Sequence, residues 1–275
     1  MQNEKIDLIG AIIPRDLIIS AEVINSGFNS DAIIVNNEWI FRFPKRPEIY
    51  DEYIREEKIL KLITPYLDIP VPNPTVHKIN GELFTGHRLI KGKQYTDAVA
   101  EMSKAQKDQL ARDLAEFLVQ LHGIKTDLPV NQYSLDEFSA LKNVKSSLKQ
   151  DAAQIKKILS DFAAKNLLLD PKNAVLCHTD LNENNILIED GRLCGVIDFG
   201  GASVCERSID FAALTKFDYE LAKNMVQYYT EISGNAVDFD YSVIIEKMIC
   251  YNGIVEACND IERQKRYRKW LSRIK

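Results

Sequence analysis

The order of apolar and polar positions divides the chain into two textures. Over the first ninety residues, short apolar runs alternate with turn residues. Residues 22–25 are β-prone, and Ser26-Gly27-Phe28-Asn29-Ser30 is a turn cluster. Residues 32–35 and 39–43 predict two strands joined at Asn36-Asn37, with Pro44 and Pro47 stopping the second. Residues 48–63 change to helical spacing, which puts Ile49, Tyr53, Glu56, Ile59, Leu60 and Ile63 on one face. Pro70, Pro72 and Pro74 mark an extended connection, and residues 76–90 predict a second hairpin turning at Asn80-Gly81.

Beyond Ile90 the helical period dominates. Lys91-Gly92-Lys93 punctuates the chain, and Ser103 with Gln106 forms a capping-box pattern. The helix it opens runs through Leu110, Leu114, Phe117, Leu118 and Leu121 to Gly123. Residues 136–168 predict further helix, residues 174–199 are β-like again, and residues 209–270 are mostly helical. The expectation is an α+β chain with a β-rich lobe over residues 1–90, a hinge near 86–92 and a mostly α-helical lobe over 91–275.

Composition narrows the class without naming an activity. The chain has 275 residues, 45% hydrophobic and 27% charged, long enough for a sizeable core. A formal charge of −5 gives no global basic field of the kind that binds nucleic acid. The five cysteines (Cys177, Cys194, Cys205, Cys250 and Cys258) are odd in number and lack a C-x-x-C pair, so they read as reduced, mostly buried thiols. No basic leader and no 18-residue uncharged apolar stretch is visible. The expectation is a soluble, cytoplasmic, monomeric protein with no membrane partner.

The chemistry concentrates in residues 177–200. His178-Thr179-Asp180 precedes Asn185, the strand-like residues 186–188 and 193–197 flank an Asp190-Gly191 turn, and Asp198-Phe199-Gly200 follows. A hairpin would bring Asn185, before its first strand, near Asp198, after its second. Two carboxylates and an amide carbonyl are hard oxygen donors, a partial ligand set of the kind that Mg2+ completes with water and phosphate oxygens. Phosphoryl transfer needs such a metal and, separately, a carboxylate facing the attacking hydroxyl. Singly, each of these residues is an ordinary turn residue. The spacing His-x-Asp-x-x-x-x-Asn followed by Asp-Phe-Gly is far rarer than any one of them.

On these motifs the sequence resembles the aminoglycoside phosphotransferases, within the protein-kinase-like small-molecule kinases, and is most similar to their 2''-O-phosphotransferase branch. The resemblance extends to residues 26–30, residues 39–46, the helix with Glu56, Ile90-Lys91-Gly92, Leu121-His122 and the last helices. It implies a bilobal kinase-like fold, with ATP or GTP as phosphoryl donor and Mg2+ as cofactor. Asp180 would be the catalytic base, while Asn185 and Asp198 would hold the metal. His178 would support the loop, with Thr179 in place of the usual glycine. Asp210 would brace the same loop, although the usual Asp-Pro upstream is Glu206-Arg207 here.

For the nucleotide, the resemblance implies Ser26, Gly27 and Ser30 in the phosphate loop, and Arg88 and Ile90 near the base. It places Arg42 where the family carries a phosphate-gripping lysine, with Lys45 as the fallback and Glu56 as the pairing acid. Arginine and lysine are not equivalent at such a site. A family acceptor is a small, cationic, hydroxyl-bearing molecule. Residues 161–262 carry 18 acidic against 7 basic side chains, which suits one. Glu183, Glu256, Asp260 and Glu262 are the candidate contacts. The seven basic residues among the last thirteen fit a terminal helix packing Tyr267 and Trp270. The alternatives are a kinase of another small alcohol, such as a macrolide, choline or homoserine-like acceptor, and a non-catalytic nucleotide-binding pseudokinase.

Overall fold

The computed structural model describes residues 2–24, 30–131, 138, 141, 151–167, 169–257 and 260–275. Ser26 and Gly27, part of the helix expected over 136–168, and Cys258 lie outside the described residues. The chain divides into two compact units, Met1–Gly92 with Cys194–Gly201, and Lys93–Leu193 with Ala202–Lys275.

In the first unit, α1 (Gln2–Ile9) precedes an antiparallel sheet of β1 (Ala21–Ile24), β2 (Ser30–Val35), β3 (Trp39–Pro44), β4 (Thr75–Ile79) and β5 (Glu82–Arg88), in the order β1-β2-β3-β5-β4. Asn36 and Asn37 adopt φ of 55° and 52° in the first hairpin turn, and Asn80 and Gly81 adopt 52° and 86° in the second. Asparagine and glycine tolerate that left-handed backbone, which matches the twist of the strands they join. The two-residue period of β3 buries Phe41 and Phe43 in one apolar layer with Ile9, Ile33, Val35 and Phe84. Phe43 and Phe84 stack there at 4.8 Å. The same period turns Arg42 to the opposite face. Helix α2 (Ile49–Ile63) buries Ile49, Tyr53, Glu56, Ile59, Leu60 and Ile63, the stripe that its spacing predicts. Helix α1 carries no clear signal in the sequence pattern; it is held by Ile9, fully buried in the sheet's core, with Leu8 packed beside it.

The second unit begins with β6 (Lys93–Gln94), α3 (Tyr95–Ala98) and α4 (Lys104–Gly123). Ser103 and Gln106 close the capping box at the start of α4, an arrangement worth roughly 1 kcal/mol. Next come α5 (Ala152–Asn166), β7 (Val175–Cys177), β8 (Ile186–Glu189), the first residues of β9 (Arg192–Val196) and β10 (Ser203–Cys205). The last elements are α6 (Ile209–Ala212), α7 (Tyr219–Ser233), α8 (Phe239–Glu256) and α9 (Ile261–Leu271). Asp218, Asp238 and Asp260 cap α7, α8 and α9 through their carboxylates. Strand β7 pairs antiparallel with β10, setting Cys177 opposite Ser203, and β6 pairs with β8. The core gathers Phe162, Cys177, Cys205, Tyr241, Ile245 and Met248 between α5, the β7–β10 pair and α8. The carboxylate of Asp113 on α4 receives Arg192 at 2.7 and 2.8 Å, Gln109 at 2.9 Å and the Leu193 amide at 3.2 Å. Burial opposes its charge, but these donors outweigh that and hold its pKa below the usual aspartate value. Among the described residues no helix is long and apolar enough to cross a membrane.

Candidate active site

In the second unit, residues 178–185 form the loop between β7 and β8, and its shape is set by Asp210 in the first turn of α6. Asp210 is fully buried. Its Oδ2 accepts the His178 amide at 2.9 Å, and its Oδ1 accepts the Thr179 amide at 2.6 Å. The Nε2 of His122, at the end of α4, lies 3.0 Å from Asp210 Oδ2, and His122 Nδ1 lies 2.9 Å from the Tyr229 hydroxyl. Thr179 adopts φ 71°, a strained conformation for a β-branched residue, held by the amides on either side of it. The buried ring of His178 accepts the Asp180 amide at its Nδ1, 3.2 Å away.

Beyond this brace the loop closes on Asp180. The Asn182 side-chain amide donates to Asp180 Oδ1 at 2.9 Å. Asn185 donates its Nδ2 to the Asp180 carbonyl at 2.8 Å and lies 3.4 Å from Asp180 Oδ2. Because its nitrogen is engaged, the amide oxygen of Asn185 is the atom left for a cation. Glu183, three residues after Asp180, is 7% exposed, and its Oε2 is buried without a hydrogen-bond partner. Burial pushes its pKa up to about 7, with Lys216 pulling the other way. Lys216 itself is engaged by the fully buried Glu246 at 2.6 Å.

The other acidic candidates have local partners. Glu256 accepts from Asn252 at 2.7 Å and lies 3.7 Å from Arg263. Asp260 caps α9 at the Arg263 amide, and Glu262 pairs with Lys265 at 2.7 Å. Among the described residues no hydrogen bond or ion pair joins these three to Asp180.

The first unit assembles a second cluster. Arg42 Nη1 donates to both Glu56 oxygens, at 3.1 and 2.9 Å, and Nη2 lies 4.0 Å from Asp198 Oδ1. Burial opposes charge on Arg42, but Glu56 and Asp198 outweigh it and raise its pKa, whereas burial raises that of Glu56. The Phe199 amide donates to Glu56 Oε1 at 3.2 Å, tying the Asp198 segment to α2. Asp198 adopts φ 67° and keeps a half-exposed carboxylate. Lys45 lies 3.4 Å from Asp31, which Lys5 also approaches at 2.6 Å. Ser30 Oγ is buried 2.5 Å from the Tyr53 hydroxyl. Arg88 pairs with Glu38 at 2.6 Å over the Trp39 ring, while Ile90 is half-buried.

The model of the phosphotransferase enzyme family, APH, matches residues 20–243. The chain belongs to this family. Three solved structures similar to this phosphotransferase place its fold. The GDP and kanamycin complex of APH(2")-IIia has a TM-score of 0.82 at 22% identity, covering 98% of this chain and 97% of that one. The streptomycin–ATP–APH(2")-IIa ternary complex has 0.72 at 23%, covering 99% and 96%. The apoenzyme of macrolide 2'-phosphotransferase MphH from Brachybacterium faecium has 0.70 at 18%, covering 98% of each chain. The expected α+β class, a β-rich N-terminal part followed by a helical C-terminal part, is the observed one.

Sequence reasoning misses several residues that shape the phosphotransferase's two clusters. Spacing marks Tyr53 only as an apolar-face position, although it stands one helical turn before Glu56. Tyr229 and Lys216 sit in ordinary helical surroundings, and no local signal marks them.

Proposed function

We propose that this phosphotransferase moves the γ-phosphoryl group of a magnesium nucleotide, ATP or GTP, to a hydroxyl of an aminoglycoside. The observation that carries the reading is the Asp180 loop: a carboxylate ordered by Asn182 and Asn185 on a backbone clamped by buried Asp210. Asp180 is the base, orienting the acceptor hydroxyl and taking its proton as the new P–O bond forms and the bond from the γ-phosphorus to the bridging oxygen breaks, with the nucleoside diphosphate as leaving group. Arg42, oriented by Glu56, meets phosphate oxygens of the donor with its outer N–H groups.

The donor chemistry at Asn185 and Asp198 fits Mg2+. Asn185 has its amide oxygen left over and Asp198 offers a half-exposed carboxylate, both hard oxygen donors. Bound there, Mg2+ would neutralise phosphate charge during transfer. The similar structures with GDP and kanamycin, and with ATP and streptomycin, support a nucleotide donor and an aminoglycoside acceptor.

A second reading, a kinase of another small alcohol, has its own support. Glu256, Asp260 and Glu262 are engaged by their neighbours, and Lys216 adds a buried cation to the same unit. The similar fold of a macrolide 2'-phosphotransferase supports this reading, since one fold can serve different acceptors.

A coupled nucleotide-turnover assay tests both readings. It would combine Mg2+, ATP or GTP, and a panel of aminoglycosides, a macrolide, choline and homoserine, with Asp180→Ala as the blank. Turnover with an aminoglycoside at low micromolar concentration is the expected result. Turnover with a different acceptor alone replaces the first reading by the second. Nucleotide binding without turnover of any acceptor rejects the first reading and moves the function to a kinase of an unidentified small alcohol.

A further inference from the structure

The nucleotide cluster contains an aromatic residue with no role in the chemistry proposed above. Tyr53 is 1% exposed on α2, three residues before Glu56, so one helix face presents a ring and a carboxylate together. The Arg42 guanidinium carbon lies 5.0 Å from the centre of that ring. The ring cannot swing aside, because its hydroxyl is fixed 2.5 Å from Ser30 Oγ at the start of β2.

We propose that Tyr53 is a positioning residue for nucleotide use, whose ring fits this site to a guanidinium at position 42 and so excludes lysine there. The inference rests on the reading that Arg42 meets nucleotide phosphate.

The geometry explains the need. Glu56 holds Arg42 through one nitrogen only, since both carboxylate oxygens receive Nη1. A contact at a single nitrogen leaves the guanidinium plane able to turn about it. The Tyr53 face removes that freedom, because a flat delocalised cation lies on a ring while its edge still donates hydrogen bonds. The edge then stays aimed with Nη2 toward Asp198, 4.0 Å away. An ammonium is compact and strongly hydrated, has no plane to align, and would lose water against the ring. A lysine at this position would therefore keep the charge and lose the aim.

The test is a double-mutant cycle on the full chain, with Arg42→Lys, Tyr53→Leu and their combination, and with Arg42→Ala and Tyr53→Phe as companions. Nucleotide binding is measured at equilibrium, nucleotide and acceptor KM separately, and folding by thermal melting. Arg42→Lys is expected to lower kcat/KM for the nucleotide about thirtyfold. Tyr53→Leu should raise nucleotide KM about tenfold with acceptor KM unchanged, whereas Tyr53→Phe, which keeps the ring but loses its tie to Ser30, should raise it by less, about threefold. The combined variant should be no more than about twofold worse than Arg42→Lys alone, since the ring has no guanidinium left to hold.

Losses that multiply, or a Tyr53→Leu protein whose two KM values rise together, would reduce Tyr53 to a packing residue. If Tyr53→Leu does not fold, Arg42→Lys decides the matter, because nucleotide use close to wild type overturns the inference. Arg42→Ala separates the two levels. Loss of binding in Arg42→Ala with retention in Arg42→Lys overturns the Tyr53 inference alone. Unchanged binding in Arg42→Ala overturns the phosphate reading and the inference with it.

Discussion

Thr179 stands at φ 71° with its amide 2.6 Å from Asp210 Oδ1. A β-branched residue in that region costs about 1–3 kcal/mol, so the buried carboxylate is restraining a loop that would otherwise relax. Glycine adopts the same backbone without the steric cost, less the roughly 0.5–1 kcal/mol it loses through its freer unfolded state. Thr179→Gly is expected to melt up to a few degrees higher and to keep its turnover. Asp210→Ala, which leaves the buried His178 amide and the partly buried Thr179 amide without their acceptor, should lose a few kcal/mol and most of kcat. Thermal melts and steady-state rates on both variants check this, and a lower melting point for Thr179→Gly would contradict it.

The oxygen donors at Asp198 and Asn185 give a prediction about the metal. Asp198→Ala should abolish the Mg2+ dependence of nucleotide binding, and chelation of the wild-type protein should reproduce the effect. Calorimetric titration with and without chelator measures both, and Mg2+ dependence that survives in Asp198→Ala would remove that residue from the metal site.

Glu183 predicts a pH dependence of stability. Its pKa is raised by burial from 4.5 to about 7, so between these values the folded chain binds the proton more tightly than the unfolded one. The contribution is full below about pH 4.5, falls as pH rises through 7, and is absent above. Glu183→Gln should therefore flatten the stability profile over that interval and be the more stable protein at pH 8. Denaturant titrations in metal-free buffer would show parallel wild-type and variant profiles if the carboxyl is not buried as described.

Asp113 ties α4 to the start of β9 through Arg192 and the Leu193 amide. Arg192 is largely exposed and can turn to water, but the Leu193 amide is buried. Asp113→Ala should cost about 1–3 kcal/mol, mostly from that orphaned donor. Arg192→Ala should cost less, because the pair is exposed on its arginine side and the carboxylate keeps Gln109 and the Leu193 amide. Urea unfolding of the two single variants and the double variant measures how far the losses overlap.

Gly253 on α8 lies against α9, where an added Cβ would fall within the Tyr267 ring. Gly253→Ala should displace the ring and destabilise by about 1–3 kcal/mol, despite the better helix propensity of alanine. A companion Tyr267→Ala change should relieve part of the loss, and additive losses in the melts would show that the two residues do not meet.

Much of the fold is legible in the chain because its signals are local. The turns at Asn36-Asn37, Asn80-Gly81 and Asp190-Gly191 announce positive φ through residues that tolerate it. The Ser103–Gln106 box and the stripe from Ile49 to Ile63 rest on neighbours three or four positions apart. Helix α1 and strand β10 lack such signals, since each is held by a partner distant in sequence.

The candidate site divides along the same line. The order His178, Asp180, Asn185, Asp198 is written in the chain, and so are the types of donor it presents. What only tertiary structure decided is how each group is held. Arg42 meets Glu56 across 14 positions, Phe199 reaches Glu56 across 143, and Asp210 returns across 31 to clamp Thr179. Whether Glu256 stands free for a ligand depended likewise on where Arg263 of the following helix came to rest. Local chemistry constrains a residue's own backbone and nearest turn. The partner of a buried charge is chosen by the packing of whole elements, which no short stretch of sequence encodes.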